Sequence, residues 1–329
     1  MPWGERMTPP KVLDWLLEEE QPSVRYLALR DLLGRSERDS EVRAARARIS
    51  KAGWAAEILA HREPGGWWVS PARIYTPKYL STNWMMLVLS DLGLSRSHPA
   101  IQESCELWMK RSSAQDGGFA INGAAKSHLC YIGNMTRALL RFGYDDDARV
   151  RSALDWLVRN QAALGGWSCW GSGRNLDSWE GLSAFAAYPK AKWTAAMTRA
   201  VEKGAEFFLE RELYRQGDHY EPWFRFHYPA HYYYDLLVGL DLLTSLGFTE
   251  DPRLRFALAH LQKKRRPDGR WNLDAVHPDI EGPSADWCAR HPKHRPVPFA
   301  LEAVGRPSKM ITLIASRVLA RRDGTTGTR

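Results

Sequence analysis

Apolar residues recur at intervals of three and four positions along most of the chain, which is the spacing of helices that bury one face. In the stretch 148–161, for example, Val150, Leu154 and Leu157 share one helical face. No alternating strand pattern competes with this spacing, so the sequence predicts an all-α protein. The predicted helical segments lie at about 10–20, 22–34, 40–61, 79–93, 98–112, 128–143, 147–161, 177–187, 193–213, 231–247, 251–265 and 307–321.

Corners made of glycine and an aromatic residue separate these segments at regular intervals. Successive first glycines are 52, 48 and 104 residues apart, so the repeat is about 50 residues long and a degenerate fifth corner is expected near Gly217. Each corner stands between an amphipathic helix and a more apolar one. Six such pairs predict an (α/α)6 toroid with an outer and an inner ring, although an open superhelix would also satisfy the repeat. The corners are PGGWW (64–68, first glycine Gly65), DGGF (116–119, Gly117), LGGW (164–167, Gly165) and DGRW (268–271, Gly269).

The third corner carries a family resemblance. QAALGGW (161–167) matches the Q-x3-G-x-W signature of squalene–hopene cyclases, and the other corners replace the glutamine by His61, Ser113 or Arg265. The chain resembles the terpene cyclase and protein prenyltransferase superfamily over about residues 20–321. The resemblance implies one α/α-toroid with a central cavity, lined by the inner helices and by the loops that lead into them.

Length and composition add domain and compartment expectations. The 329 residues, with 44% hydrophobic and 26% charged, fit one globular toroid rather than a disordered chain. Four cysteines are too few for a disulfide scaffold, and no signal-like leader or run of eighteen apolar residues is present, which predicts a soluble, cytoplasmic protein without an integral membrane segment. We expect one domain at 1–329, an ordered core at about 10–322, a long Pro-rich loop at 276–306 and a flexible tail at 323–329.

A net charge of +8 raises the question of an acidic partner. The basic clusters at 43–51, 263–266 and 290–295 are separate in sequence, and no nucleic-acid-binding signature accompanies them. Nucleic acid is therefore an unlikely partner. We expect a small-molecule substrate, isoprenoid or anionic, and leave peripheral membrane contact open.

The resemblance also implies a metal site. In protein prenyltransferases, zinc ligands of the pattern D-x-C-Y begin an inner helix, and His128, Cys130 and Tyr131 occupy the corresponding positions here. The family's later histidine falls near Asp177, so the implied zinc ligands are His128, Cys130 and Asp177, with His231 as an alternative to Asp177. A second cluster, Asp286, Cys288, His291 and His294, is left open as a metal site, a lid or an ordinary loop.

Aromatic and acid–base residues concentrate at 221–235, before an inner helix. The catalytic candidates there are His231, Tyr234 and Asp235. In a cyclase, aromatic faces stabilise carbocations; in toroid polysaccharide lyases, Tyr, His, Asn and Arg abstract protons, and Tyr234, His231, Asn134 and Arg137 are the analogues. The aspartates at 144–150 are interpreted as a helix N-cap rather than as a cyclase acid. The substrate-binding candidates are Trp84, Asn134, Trp170, Trp223, His227 and Lys309.

Three functions follow from these residues. The first is a terpene cyclase-like or prenyltransferase-like enzyme that acts on an isoprenoid or related small molecule, with a bound zinc ion. The second is a toroid that acts on carbohydrate through Tyr and His. The third is a binding or scaffold protein that kept the fold without the chemistry.

Overall fold

A computed structural model describes residues 8–168, 179–214, 220–280, 285–291 and 301–324. Within these ranges the regular structure is helical, with isolated bridges but no strand. The predicted all-α class is confirmed. The α-helices are α1 Pro10–Leu16, α2 Pro22–Asp31, α3 Ser40–Arg48, α4 Gly53–Ala60, α5 Thr82–Asp91, α6 Pro99–Ser112, α7 Leu129–Phe142, α8 Ala148–Arg159, α9 Trp179–Ala187, α10 Ala195–Leu209, α11 Leu236–Ser245, α12 Arg255–Lys263, α13 Ala285–Arg290 and α14 Lys309–Arg322.

Two segments differ from the sequence prediction. The segment predicted as one helix at 40–61 is two helices, because the chain turns at 49–52 and Gly53 has a φ of +69° that a helix does not allow. The Pro-rich segment at 276–306, expected to be a loop rather than a helix, contains α13. The eight residues between Pro283 and Pro292 contain no proline, which leaves them free to form a short helix.

The apolar helices contact one another in a closed succession. Helix α5 packs on α7, α7 on α9, α9 on α11, α11 on α14 and α14 on α2, while α4 contacts both α2 and α5. Arg317 of α14 pairs with Asp31 of α2 at 3.2 Å and with Asp241 of α11 at 2.9 Å, so one guanidinium joins three of these helices. A succession of this kind agrees with the six-pair toroid, which stays a prediction. No described helix combines the length and hydropathy needed to cross a membrane.

The four corners share one turn. In each, an amide donates to the carbonyl four residues later, at 2.8–3.0 Å, and the fourth residue of the turn is a glycine with a φ between +86° and +99°. In the first corner that glycine is Gly66 rather than the Gly65 used to measure the repeat, so the first interval is 51 residues rather than 52. The expected corner at Gly217 lies outside the described residues. The equivalent glycines are Gly66, Gly117, Gly165 and Gly269.

A tryptophan at the end of the turn ties it to the preceding helix. The ring N–H groups of Trp68, Trp167 and Trp271 each donate to a carbonyl ten residues earlier, at 2.8–2.9 Å. These carbonyls lie in the last turn of a helix, where the regular donor four residues later is missing, although the Ile58 carbonyl also accepts from the His61 amide at 3.3 Å. Phe119 occupies the second corner and has no ring N–H to donate. In the other three corners the tryptophan therefore caps the helix that leads into its own corner.

Gln161 links the third corner to helix α10. Its amide nitrogen donates to the carbonyls of Gly165 and Ala200, both at 2.7 Å, and thereby joins the end of α8 to α10. The first and fourth corners are instead bonded to an apolar helix, since the Trp68 amide donates to Thr82 Oγ1 and the Trp271 amide to Thr312 Oγ1. Hydrogen bonds from the corner backbone and from Gln161 thus hold the helices next to each corner in place.

Candidate functional site

The loop that precedes α11 is held by a buried carboxylate. Asp235 is 1% exposed; its Oδ1 accepts from the Val238 amide at 2.9 Å, which makes it the N-cap of α11. Its Oδ2 accepts from the His227 amide at 2.8 Å and lies 3.3 Å from His227 Nδ1. The contacts between Asp235 and His227 therefore hold the two ends of the loop together. The contacts seen here are structural, and the catalytic role of Asp235 and the binding role of His227 stay predictions.

Seven aromatic side chains meet beside this loop, and we call them the aromatic cluster. Trp84 lies at its centre, with ring centroids 4.9 Å from Tyr75, 4.7 Å from Tyr79 and 5.3 Å from His231. Trp84 is buried and donates its ring N–H to the Tyr75 carbonyl at 2.8 Å, so its orientation is fixed. The cluster consists of Tyr75, Tyr79, Trp84, Tyr131, His231, Tyr232 and His277.

The members of the cluster lie near the starts of apolar helices or in the loops before them, where the predicted toroid is expected to have its site. Trp84 and Tyr131 begin α5 and α7, Tyr75 and Tyr79 belong to the loop before α5, and His231 and Tyr232 to the loop before α11. Aromatic faces offer a large apolar surface and attract cations through the ring quadrupole. The arrangement can therefore bind an apolar molecule and stabilise positive charge on it.

A polar edge borders the cluster at the Tyr232 hydroxyl. It lies 3.3 Å from Lys78 Nζ, 3.0 Å from the Tyr79 hydroxyl and 3.0 Å from His277 Nε2. The Asp279 amide donates to His277 Nδ1 at 3.1 Å, which leaves Nε2 as the protonated nitrogen of a neutral ring. Burial lowers the pKa of His277 to about 4, so the ring is neutral at pH 7. Because Lys78 is 40% exposed, this edge links the cluster to solvent.

A buried cation lies over a tryptophan that is hydrogen-bonded to the loop. Arg137 of α7 is 6% exposed, and its Nη2 donates to Asn134 Oδ1 at 3.0 Å. Its guanidinium carbon lies 4.9 Å from the ring centroid of Trp179, whose Nε1 donates to the Tyr232 carbonyl at 3.4 Å. Burial lowers the pKa of Arg137 to about 10, which leaves it charged at pH 7. The predicted binding residue Asn134 thus orients a cation next to the loop.

Two further polar groups of the loop are buried. Tyr228 and His231 are 3% and 4% exposed, and the Arg137 charge makes a minor contribution to the pKa shift of each. Burial, followed by the charges of His277 and Arg137, lowers the pKa of His231 to about 3, so its ring is neutral at pH 7. Burial raises the pKa of Tyr228. Arg137 Nε, the Tyr228 hydroxyl and His231 Nδ1 have no hydrogen-bond partner in the part of the chain that the structure describes.

The predicted zinc ligands are seen only in part. His128 Nδ1 and Cys130 Sγ lie 3.6 Å apart at the start of α7, and both side chains are partly exposed. Asp177 lies outside the described residues, as does the predicted binding residue Trp170. Among the described residues, no three His, Cys, Asp or Glu side chains come together as a metal-holding group. The zinc site therefore stays a prediction.

The second predicted cluster lies on α13. His291 stacks on Trp287 with ring centroids 4.1 Å apart, and its Nδ1 lies 2.8 Å from the Trp287 carbonyl. Asp286 and Cys288 belong to the same short helix, whereas His294 lies outside the described residues. Within the described part, the geometry shows the packing of His291 on its own helix.

Three other candidates contact parts of the protein outside the cluster. The Tyr234 hydroxyl donates to the Leu213 carbonyl at 2.8 Å, and its ring lies 5.8 Å from that of Trp223. The Lys309 ammonium donates to the Trp15 carbonyl and to Glu18. The predicted catalytic role of Tyr234 and binding roles of Trp223 and Lys309 stay predictions, and the contacts seen for them are packing and ion pairing.

The sequence reasoning missed three members of the cluster, namely Tyr75, Tyr79 and His277. Tyr75 and Tyr79 lie between the first corner and α5. Site residues were expected in the loops that lead into the inner helices, so these two tyrosines could have been selected from the sequence. His277 follows the fourth corner in the same way.

Comparisons with known proteins were made by sequence and by structure. No protein-family model and no curated protein matches the chain. Solved structures similar to it include the type II terpene cyclase MstE from Scytonema without ligand, at 16% identity and a TM-score of 0.45 over 92% of this chain and 88% of that one. A variant of MstE in complex with its substrate geranylgeranyl dihydroxybenzoate gives 16% and 0.46 over 92% and 87%. A protein from Actinoplanes gives 16% and 0.44 over 94% and 90%.

Proposed function

We propose that this chain is a terpene cyclase-like enzyme that binds an isoprenoid or a related small molecule against the aromatic cluster. The observation that carries the proposal is the cluster itself, with Trp84 at its centre and rings at 4.7–5.3 Å on three sides. An isoprenoid offers apolar branches for these faces, and a carbocation formed on it would be stabilised by them. The neutral ring of His231 adds no competing charge.

Binding by the cluster is tested with Trp84→Met, which removes the central face, and with Trp84→Phe, which keeps a face without the N–H. We expect farnesol and geranylgeraniol to bind the wild type and the Phe variant, and to bind the Met variant at least tenfold more weakly. Trp271→Met is the matched control, because Trp271, like Trp84, is 1% exposed and lies in the fourth corner, outside the cluster. Isothermal titration calorimetry gives the affinities, and circular dichroism shows that the variants are folded.

Catalysis is tested separately by incubating the protein with polyprenyl substrates and analysing the products by mass spectrometry. A product that has the mass of its substrate and fewer double bonds indicates cyclisation. If no isoprenoid binds, or if Trp271→Met weakens binding as much as Trp84→Met does, the proposed function is wrong.

The zinc ion is a separate part of the proposal. A tetrahedral ion with Zn–S near 2.3 Å and Zn–N near 2.1 Å places the two ligand atoms about 3.6 Å apart. The His128 and Cys130 atoms lie 3.6 Å apart, so these two residues fit such an ion. Bound there, zinc would act as a Lewis acid or activate a thiolate. His128 and Cys130 would hold it, together with a ligand such as the predicted Asp177.

Elemental analysis of protein purified without chelator tests this part. About one zinc per chain, retained in Cys288→Ser and lost in Cys130→Ser, is expected. Loss only in Cys288→Ser would move the site to α13. A wild type without metal would contradict the zinc proposal and leave isoprenoid binding to its own test.

A carbohydrate substrate is the second candidate function. It is favoured by the hydrogen bond between Arg137 and Asn134 and by the neutral ring of His231, since a lyase uses these residue types to bind a uronate and abstract its proton. Metal-independent cleavage of uronate polymers, lost in His231→Ala, would support it. Because Arg137 is only 6% exposed, a small molecule enclosed by the fold agrees better with the geometry than a polymer does.

A further inference from the structure

We propose that the hydroxyl groups of Tyr79 and Tyr232 form a hydrogen-bond donor site, which binds a neutral acceptor oxygen on a ligand whose apolar body lies on the aromatic cluster. This inference deepens the proposed function and rests on it, since the cluster is taken to bind the apolar body. It assigns a substrate class: an isoprenoid or related molecule that carries a carbonyl, ether or hydroxyl oxygen, rather than a hydrocarbon or an anion.

The two hydroxyl groups meet an imidazole at the polar edge of the cluster. The Tyr232 hydroxyl oxygen lies 3.0 Å from the Tyr79 hydroxyl and 3.0 Å from His277 Nε2. Lys78 Nζ donates to the same oxygen at 3.3 Å. The ring of Tyr79 lies 4.7 Å from that of Trp84 between centroids. Three proton-bearing groups therefore surround one oxygen beside the central face of the cluster.

The imidazole of His277 is a donor toward Tyr232 and not an acceptor. The Asp279 amide donates to His277 Nδ1 at 3.1 Å, so the single proton of the neutral ring is on Nε2. Burial lowers the pKa of His277 to about 4, which keeps the ring neutral at pH 7. His277 thus occupies a lone pair of the Tyr232 oxygen and accepts a proton from neither tyrosine.

A count of protons leaves one hydroxyl donor unused. Each tyrosine hydroxyl has one proton to give. The bond between the two hydroxyls uses one of these protons, whichever of them donates, and the other has no acceptor among the described residues. Burial raises the pKa of Tyr79, so its hydroxyl keeps its proton at pH 7. Because an unused donor at a buried site costs free energy, an acceptor oxygen of a ligand is stabilised there.

The position of Tyr79 brings this donor to the aromatic faces. Tyr79 is 1% exposed, and its φ of +64° is a left-handed conformation that a bulky residue rarely adopts. Its ring contacts those of Trp84 and His231, with centroids 4.7 and 4.9 Å away. An oxygen attached to an apolar chain on these faces is therefore within reach of the hydroxyl.

The charges at the polar edge favour a neutral oxygen over an anion. Asp279 Oδ2 lies 3.6 Å from Lys78 Nζ and 3.7 Å from His277 Nδ1. The carboxylate of Asp279 balances the ammonium group and would repel an anion bound beside it. A neutral acceptor takes the unused proton without that repulsion.

The test compares three ligands with the same isoprenoid chain: farnesylacetone, the hydrocarbon with CH2 in place of its carbonyl, and farnesylacetic acid. The double variant Tyr79→Phe/Tyr232→Phe removes both hydroxyls and keeps both rings. We expect it to bind the ketone roughly five- to fiftyfold more weakly than the wild type and the hydrocarbon at least as tightly. The carboxylate is expected to bind the wild type no more tightly than the ketone does.

Tyr26→Phe is the matched control, because Tyr26 is 2% exposed and its hydroxyl bonds to Arg30 and Glu37 outside the cluster. It should leave ketone affinity within about twofold. Calorimetry gives the affinity for the ketone, competition with the ketone gives the others, and circular dichroism shows that the variants are folded.

Infrared spectra of the bound ketone, labelled with 13C at its carbonyl, provide a second readout, because a hydrogen bond lowers the C=O stretching wavenumber. The band should lie below its position in hexane for the wild type and return toward it in the double variant. If the double variant does not fold, Tyr79→Phe and Tyr232→Phe are measured singly, and the one whose hydroxyl touches the ligand has to show both effects.

Three results would overturn the donor site and leave the proposed function standing. They are an unshifted band in the wild type, a ketone affinity or band that is the same in the wild type and in every folded variant of Tyr79 and Tyr232, and tighter binding of the carboxylate than of the ketone. If none of the three ligands binds, both proposals are wrong.

Discussion

Substituting one corner glycine tests how tightly the third corner is packed. Gly165 has a φ of +96°, and a Cβ added to it would lie 2.3 Å from the Lys203 carbonyl oxygen of α10. The same corner is bonded to α10 through Gln161, which donates to the carbonyls of Gly165 and Ala200. Gly165→Ala therefore forces the corner away from the helix that it binds.

The magnitude follows from two terms. A residue with a side chain in left-handed backbone costs about 1–2 kcal/mol. Pushing a methyl group against packed backbone costs about 1–3 kcal/mol more. The free energy of unfolding should fall by roughly 2–5 kcal/mol in Gly165→Ala, a large part of the stability of an ordinary domain. Gly247→Ala is the matched control, because Gly247 has a φ of +100° and nothing within 4 Å of the added Cβ.

Urea unfolding followed by circular dichroism measures both variants at pH 7. Gly247→Ala should lose only the strain term of about 1–2 kcal/mol, and the difference between the variants reports the close approach to Lys203. If Gly165→Ala costs no more than Gly247→Ala, the corner is not packed against α10 as the structure places it, and the argument that corners tie the outer helices together fails.

Two further predictions concern buried polar groups. Burial lowers the pKa of His231 to about 3, so the unfolded state binds the extra proton below about pH 6.5 and stability falls as the pH decreases toward 3. Asn accepts the φ of +50° at this position, so His231→Asn keeps the backbone. The variant should remove up to about 2–3 kcal/mol of the loss in the free energy of unfolding between pH 7 and pH 4.5. Urea midpoints at the two pH values check this, and a pH dependence of stability equal to that of the wild type contradicts it. Arg317→Met leaves Asp31 without that partner and should destabilise the protein by about 2–4 kcal/mol, measured by urea unfolding against Arg322→Met on the same helix; equal stability of the two variants would show that Arg317 does not join the helices.

Most of the helices could be predicted because their information is local. The spacing of Val150, Leu154 and Leu157 predicts α8 from its own residues, and the corners recur at a fixed interval. The break between α3 and α4 was missed because it depends on Gly53, whose φ of +69° arises where the turn packs against Gln21. That contact joins residues that are 32 positions apart, and no local pattern contains it.

The segments that form the site could be predicted from the sequence, but not which of their side chains meet, because those contacts join residues far apart in the chain. Trp84, Asn134 and His231 were expected at the starts of inner helices, and the structure places Trp84 and His231 in contact and Asn134 on the neighbouring cation. Tyr234, chosen from the same run of tyrosines, donates instead to the Leu213 carbonyl. Neighbouring residues in an irregular loop point in different directions, and the left-handed backbone at His231 decides which of them meet Trp84.

In this chain the corners stabilise the fold, whereas the aromatic cluster carries the candidate chemistry. The corner bonds run to backbone carbonyls, as from Trp167 to Leu157 and from Gln161 to Ala200, so they hold the helix pairs whatever side chains lie inside. The apolar helices are then free to carry groups that cost stability, such as the buried charge of Arg137 within α7. A ring that were only structural would gain by replacing that charge with an aliphatic residue. The buried charge of Arg137 therefore supports the proposal that this protein binds a ligand.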